Sequence, residues 1–172
     1  PQMITTESLR WLHLDLALGT EAALKAAFDG SGRYVAVSHT RSSGIPLFDR
    51  DQGFKPMLPL YVEGTNVGNI AISPDGRYLA AVTASAQGDL VVFEDFATNL
   101  NPEITRYDPG QSTLLADVVF SPDSQRIYAS GKDGYIFVWT VGNPSAPETV
   151  YRPAYQGYYV GLRVIGGGTH LV

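Results

Sequence analysis

The chain has 172 residues, 44% of them hydrophobic and 17% charged, which suffices for one domain with a buried core and excludes a disordered polymer. Its net charge of −5, without any Lys/Arg cluster, argues against a nucleic-acid partner, because displacing counterions from phosphates needs such clusters. Cysteine is absent, so disulfides and thiolate sites are excluded while the compartment stays undecided; the apolar runs are far shorter than a membrane span and no signal peptide is visible.

In chain order, Pro1 opens the sequence where Met would be expected, which suggests a processed product or a piece of something longer. Residues 2–8 and then Leu9 to Leu14 take their meaning from copies downstream. Ala22 to Ala27, with Glu21 and Lys25, has good helix propensity. It stands where later copies carry a first strand, so it is read as strand, with a helical turn as the competitor.

Phe28-Asp29-Gly30-Ser31-Gly32-Arg33-Tyr34-Val35-Ala36-Val37 then introduces a unit that recurs. It returns as Ile72-Ser73-Pro74-Asp75-Gly76-Arg77-Tyr78-Leu79-Ala80-Ala81-Val82 and as Phe120-Ser121-Pro122-Asp123-Ser124-Gln125-Arg126-Ile127-Tyr128-Ala129. A worn copy is Val164-Ile165-Gly166-Gly167-Gly168-Thr169-His170-Leu171-Val172. In the clearest copy Pro sets φ, Asp bonds its own backbone and Gly supplies positive φ, so the unit is strand, tight turn, strand. The second strand is apolar on both faces and is expected to be buried on both. The anchors Phe28, Ile72, Phe120 and Val164 are spaced by 44, 48 and 44 residues, which suits a blade of four strands better than a helical pair.

Each copy continues alike. A polar turn (41–44, 85–88, 131–134) leads to a third strand (Ile45 to Asp49, Leu90 to Glu94, Tyr135 to Thr140) with its aromatic at Phe48, Phe93 or Trp139. Pro-rich connections at 55–59, 99–109 and 143–153 are expected to carry the outer strand and the crossing to the next blade. Residues 2–8 can be laid on 128–134, and 9–14 on 135–140. The chain is thus expected to start and stop at one phase of the repeat. The expected organisation is a single domain, 1–172, with repeats near 28–69, 70–117 and 118–159 and a split blade built from 1–27 with 160–172.

The Ser-Pro-Asp-Gly turn, the later Asp133-Gly134, and the apolar strand ending at Trp139 resemble the WD40-type β-propeller repeat, most closely over Phe120 to Thr140. The chain departs from that pattern at Thr140, which stands where the family has Asp, and in lacking the Gly-His pair that opens a blade. The family's buried Asp-His-Ser-Trp network is therefore not carried over. The resemblance implies an all-β fold, a propeller of four-stranded blades with about four repeats. Three closures remain open: two chains paired head to tail, a fragment completed by neighbouring blades, or a small ring closed by the split blade. A looser likeness of Val35 to Lys55 to propeller repeats of bacteriophage tail and other virion proteins implies a virion or extracellular location.

No residue pattern demands catalysis. His13, His39 and His170 fall at different points of the repeat and make no ligand pair. Asp29, Asp75, Asp123 and Asp133 are placed as turn formers. Gly166-Gly167-Gly168 lacks the Lys-Ser/Thr of a phosphate loop and reads as a degenerate turn. Ser38 and Ser130 occupy equivalent second-strand positions and are expected to bond neighbouring backbone. No cofactor or metal is expected.

The expected function is a non-enzymatic protein-binding or assembly module, most specifically a structural component of a virion such as a phage tail or capsid appendage. Its partners would be proteins, through self-association or a larger assembly, without nucleic acid or membrane. The candidate contact residues are Tyr151, Arg152, Tyr155, Tyr158 and Tyr159, with Tyr61 and Tyr107 in the corresponding connections beside Arg106; Tyr and Arg bring large contact area at low entropic cost. Two rivals are a lactonase-like propeller enzyme, which needs His39, His170 and the turn aspartates to converge, and a glycan-binding propeller, which needs Trp11, Trp139 and the tyrosines exposed.

Overall fold

A computed structural model describes residues 22–84, 89–110, 113–152, 161–168 and 170–172. The expected split blade, with Trp11 and His13, falls partly on residues 1–21 and 160, and Tyr155, Tyr158 and Tyr159 of the expected repeat 118–159 fall on 153–159, all outside the described residues.

The molecule is all-β, built of four-stranded antiparallel sheets laid blade against blade. The first blade contains β1 (Ala23–Phe28), β2 (Tyr34–His39), β4 (Leu47–Asp49) and β5 (Lys55–Pro56), hydrogen-bonded in the order β1-β2-β4-β5. Between its second and third strands lies β3 (Gly44–Ile45), which pairs with β6 (Leu60–Tyr61) in a small sheet of its own. The second blade is β7 (Val67–Ile72), β8 (Tyr78–Thr83), β9 (Leu90–Glu94) and β10 (Ile104–Tyr107). The third is β11 (Leu115–Phe120), β12 (Arg126–Gly131), β13 (Ile136–Thr140) and β14 (Thr149–Tyr151). A hairpin of β15 (Val164–Ile165) and β16 (His170–Leu171) follows.

The anchors Phe28, Ile72 and Phe120 each end a first strand, and residues 23–28 are strand despite their helix propensity. Tertiary pairing with β2 overrides a preference that is only tenths of a kcal/mol per residue. The first blade also departs from expectation. Its third strand, expected to run unbroken from Ile45 to Asp49, is split at Pro46, whose nitrogen cannot donate to a ladder. The segment before Pro46 turns outward to β6, and the segment after it stays with β2 and β4's outer neighbour β5.

The second blade explains the doubly apolar strands. Leu79, Ala81, Val91 and Phe93 pack toward the first blade, with Ala36, Leu47 and Ile70. Ala80, Val82, Leu90 and Val92 pack toward the third, with Val118, Ile127, Phe137 and Trp139. Successive side chains of a strand point to opposite faces, so a sheet covered on both sides has no place for polar alternation. Trp139 is fully buried there, stacked on Phe137 at 5.8 Å and meeting Tyr107 edge-on at 6.0 Å.

The three tight turns share one hydrogen-bond scheme. Ser73 Oγ accepts the Tyr78 N–H at 2.9 Å, and Ser121 Oγ accepts the Arg126 N–H at 2.9 Å. Each serine also donates to the aspartate two residues on, Asp75 or Asp123, which in turn accepts the N–H of Arg77 or Gln125 at 3.1 Å. The first blade exchanges the two residue types. Asp29 takes the serine's place and accepts the Tyr34 N–H at 2.7 Å, while Ser31 donates to Asp29 and accepts the Arg33 N–H at 3.2 Å. Every bond survives the exchange. The turns also touch one another: Gly30 N–H donates to Pro74 O at 2.9 Å, and Asp75 N–H to Ser124 Oγ at 3.1 Å. Gly166–Gly168 forms a short 3₁₀ turn with positive φ at all three glycines, as a degenerate counterpart of these turns.

Candidate functional site

The described surface carries a groove of about 680 Å³ between the outer parts of the first and second blades. One wall is the stretch from Met57 to Tyr61, which includes β6; the other is the connection from Phe96 to Pro102 and the edge strand β10. Both walls are set by local chemistry. Asp95 adopts φ 51, and its carbonyl accepts the N–H groups of Thr98 (3.0 Å) and Asn99 (2.9 Å), a tight turn that drives Phe96 inward against Tyr34 at 5.6 Å. Asn99 Oδ1 then caps the Asn101 N–H at 3.0 Å, leaving Leu100 86% exposed at the tip.

On the opposite wall Tyr61 is held by Gly44 across the β3–β6 pair. A Cβ at Gly44 would lie 3.0 Å from Tyr61 Cε1, so the missing side chain lets the ring lie against the strand. Leu58, Tyr61, Leu100 and Ile104 are exposed by 63%, 58%, 86% and 44%, four large apolar side chains around one groove over a floor of buried Phe93 and Phe96. Arg106, bridged to Asp89 at 3.3 Å, and exposed Glu63 complete the rim.

The expected contact residues part company here. Tyr61 and Arg106 reach the groove. Tyr151 is exposed on the outer strand of the third blade, and Arg152 lies over the Tyr135 ring at 5.5 Å on that same side. Tyr107 is a correction: it is 1% exposed, packs on Trp139 and accepts the Gly142 N–H at 2.8 Å with its hydroxyl, which places it in the core and not on a contact surface. Burial raises its phenol pKa above the ordinary value. Leu58, Leu100 and Ile104 were not among the expected contact residues: Leu100 and Ile104 are isolated apolar residues in a Pro-rich connection and Leu58 lies in a short apolar stretch around Pro59, so their only signal was apolar character where solvated connections were expected.

Among the described residues no three of His, Cys, Asp and Glu gather closely enough to hold a metal. His39 ends β2 and His170 begins β16. Trp139 is sealed between blades and offers no face to a sugar. Ser38 and Ser130 depart from another expectation: both hydroxyls are fully buried with no hydrogen-bond partner among the described residues, and so are Thr113 Oγ1 and Trp139 Nε1.

Residues 104–140, the third blade up to its Trp with the strand before it, match the family described as WD domain, G-beta repeat. The chain is similar to "Protein LST8 homolog" of Drosophila melanogaster, 33% identical over 79 residues, 43% of this chain and 24% of that protein. It is also similar to "Autophagy-related protein 18" of Meyerozyma guilliermondii, 24% identical over 119 residues, 69% of this chain and 20% of that protein. The chain thus spans no more than about a quarter of the length of these relatives. Repeat, sheets and matches agree that this is a WD40-like propeller repeat protein.

Proposed function

We propose that this WD40-like repeat protein is a non-enzymatic binding module whose groove between the first and second blades seats an extended segment of a protein partner. The observation that carries the reading is the gathering of Leu58, Tyr61, Leu100 and Ile104 around one groove, since exposed apolar residues scattered singly need no explanation but a lined groove does. Among the described residues strand β10 is the edge of its sheet beside the groove, so the partner's backbone would pair with β10 while its apolar side chains fill the groove. The mixed rim of Arg106 and Glu63 suits a peptide with paired charges better than a nucleic acid.

The narrower expectation of a virion appendage rests on the loose repeat likeness, and the matched relatives support only the general interaction role. Self-association and a split blade formed by 1–27 with 160–172 belong to the same proposal. The latter draws support from the β15–β16 hairpin, which has two of a blade's four strands.

The test begins with a partner identified by affinity purification and then reconstituted from purified components. Leu58→Glu/Leu100→Glu is expected to weaken that binding by about tenfold or more without moving the melting temperature, because a charge in an apolar hot spot costs more than about 1.4 kcal/mol while exposed positions contribute little to folding. Unchanged affinity, or partner-induced protection from hydrogen exchange confined to the third blade, overturns the groove.

A further inference from the structure

The first strands of the blades line a cavity of about 930 Å³ that contains one buried carboxylate, Asp117. Counted three residues before the anchors Phe28, Ile72, Phe120 and Val164, the equivalent positions are Lys25, Asn69, Asp117 and Gly161. Each of the three full first strands breaks register just there: between Ala23 and Lys25, between Val67 and Ile70, and between Leu115 and Asp117. A bulge re-aims the side chain beside it, and these bulges bring the equivalent positions together. Lys25 Nζ of the first blade pairs with Asp117 Oδ1 of the third, although the second blade lies between them in the chain. The other oxygen, Oδ2, accepts the Leu162 N–H of the last segment at 2.8 Å. The second blade joins through Asn69 Nδ2, which donates to Ala116 O at 2.7 Å. Asp117 is 4% exposed and Leu162 equally buried, whereas the Lys25 side chain is 28% exposed.

We propose that Lys25 and Asp117 form a clasp that draws the first and third blades together across the cavity and, through Leu162, locks residues 161–172 against them. A cation at the rim neutralises the buried carboxylate, and the neutralised carboxylate holds the backbone of the final hairpin. Lys25 therefore governs a segment that it does not itself bond. This knot joins all four repeat copies, so it acts as the closing element of the four-part arrangement.

Hydrogen exchange by mass spectrometry on the full chain tests it. Removing one partner of a buried pair strands a charge, whereas removing both does not, so Lys25→Met is expected to speed exchange of 161–172 by about tenfold or more, and Lys25→Met/Asp117→Asn to return it to within about twofold of Asp117→Asn alone. Lys25→Arg, which keeps the charge, should exchange like the parent chain. Should Lys25→Met fail to fold while the double variant folds, the pattern carries the same meaning. Exchange of 161–172 unchanged in Lys25→Met, effects of the two substitutions that simply multiply, or a double variant that also fails to fold overturns the clasp in favour of ordinary packing.

Discussion

The turn of the first blade shows what a single residue is for. Asp29 and Ser31 hold the places that Ser73 and Asp75 hold in the second blade, with the types exchanged and the bonds kept. What the fold requires is one acceptor for the N–H five residues on, one for the N–H four residues on, and a proton between them. Asp29→Ser/Ser31→Asp is accordingly expected to unfold in urea within about 0.5 kcal/mol of the parent, while Ser73→Ala, which removes a buried hydroxyl with two partners, costs about 1–3 kcal/mol. Ser130→Ala provides the contrast. Its buried hydroxyl has no partner among the described residues, so its removal is expected to be neutral or slightly stabilising in the same assay. A pH dependence belongs to this scale as well. Hydrogen bonds from Arg33 (2.9 Å from Nη2 to Oδ2), helped by the Asp51 N–H, hold the Asp49 carboxyl below the usual carboxylate range against the opposing effect of burial. A lowered folded pKa means that the stabilisation is complete above the unfolded value, about pH 4, and is lost as pH falls through the folded value. Asp49→Asn should flatten that part of the acid limb when urea midpoints are followed from about pH 6 to pH 2.

Blades are joined at the level of elements, and the turns are the joints. Gly30 sits so close to the second blade's turn that an added Cβ would lie 2.6 Å from Pro74 O, a backbone atom that cannot rotate away. Gly30→Ala is expected to push the two turns apart, break the Gly30–Pro74 hydrogen bond and cost about 1–3 kcal/mol of unfolding free energy. The same substitution at Gly44 acts on a side chain instead, the Tyr61 ring at 3.0 Å, and should displace that ring from the groove wall with a smaller effect on stability. Its signature would be a change in Tyr61 ring signals by NMR with little shift in the urea midpoint. The element scale also explains the split third strand of the first blade. Pro46 ends one ladder and frees Gly44 and Ile45 to pair with β6, and that pairing builds one wall of the groove.

For the molecule as a whole, the second blade is a filling between two others, buried through β8 and β9 on both faces. Large-to-small substitution at either junction should be felt in the cluster that faces it. Phe93→Ala, directed at the first junction, and Phe137→Ala, at the second, are each expected to cost about 3–5 kcal/mol, and their effects should add because separate packing clusters receive them. A double variant measured by urea unfolding checks the additivity; strong coupling would mean that the two clusters act as one core.

Much of the architecture was legible in the chain because its determinants are local. Pro74, Asp75 and Gly76 dictate a turn wherever they stand, and the apolar pairs Leu79–Ala80 and Val91–Val92 announce a sheet covered on both faces. Recurrence then turned three hairpins into blades. The placement of side chains that depend on another blade was not legible. Tyr61, Tyr107 and Tyr151 occupy corresponding connections, yet two are exposed and one is sealed against Trp139, since which face of an outer strand is covered depends on the neighbour it meets. Leu58 and Leu100 lie on different blades and become one groove only when those blades pack side by side. Lys25 and Asp117 stand at the same phase of the repeat, a fact present in the sequence, but opposite charges at equal phase become partners only when bulged first strands converge on a common cavity. Turn chemistry and strand pattern act over a few residues and are therefore written in the chain; burial, grooves and ion pairs between blades arise from distances that exist only once the sheets have closed on one another.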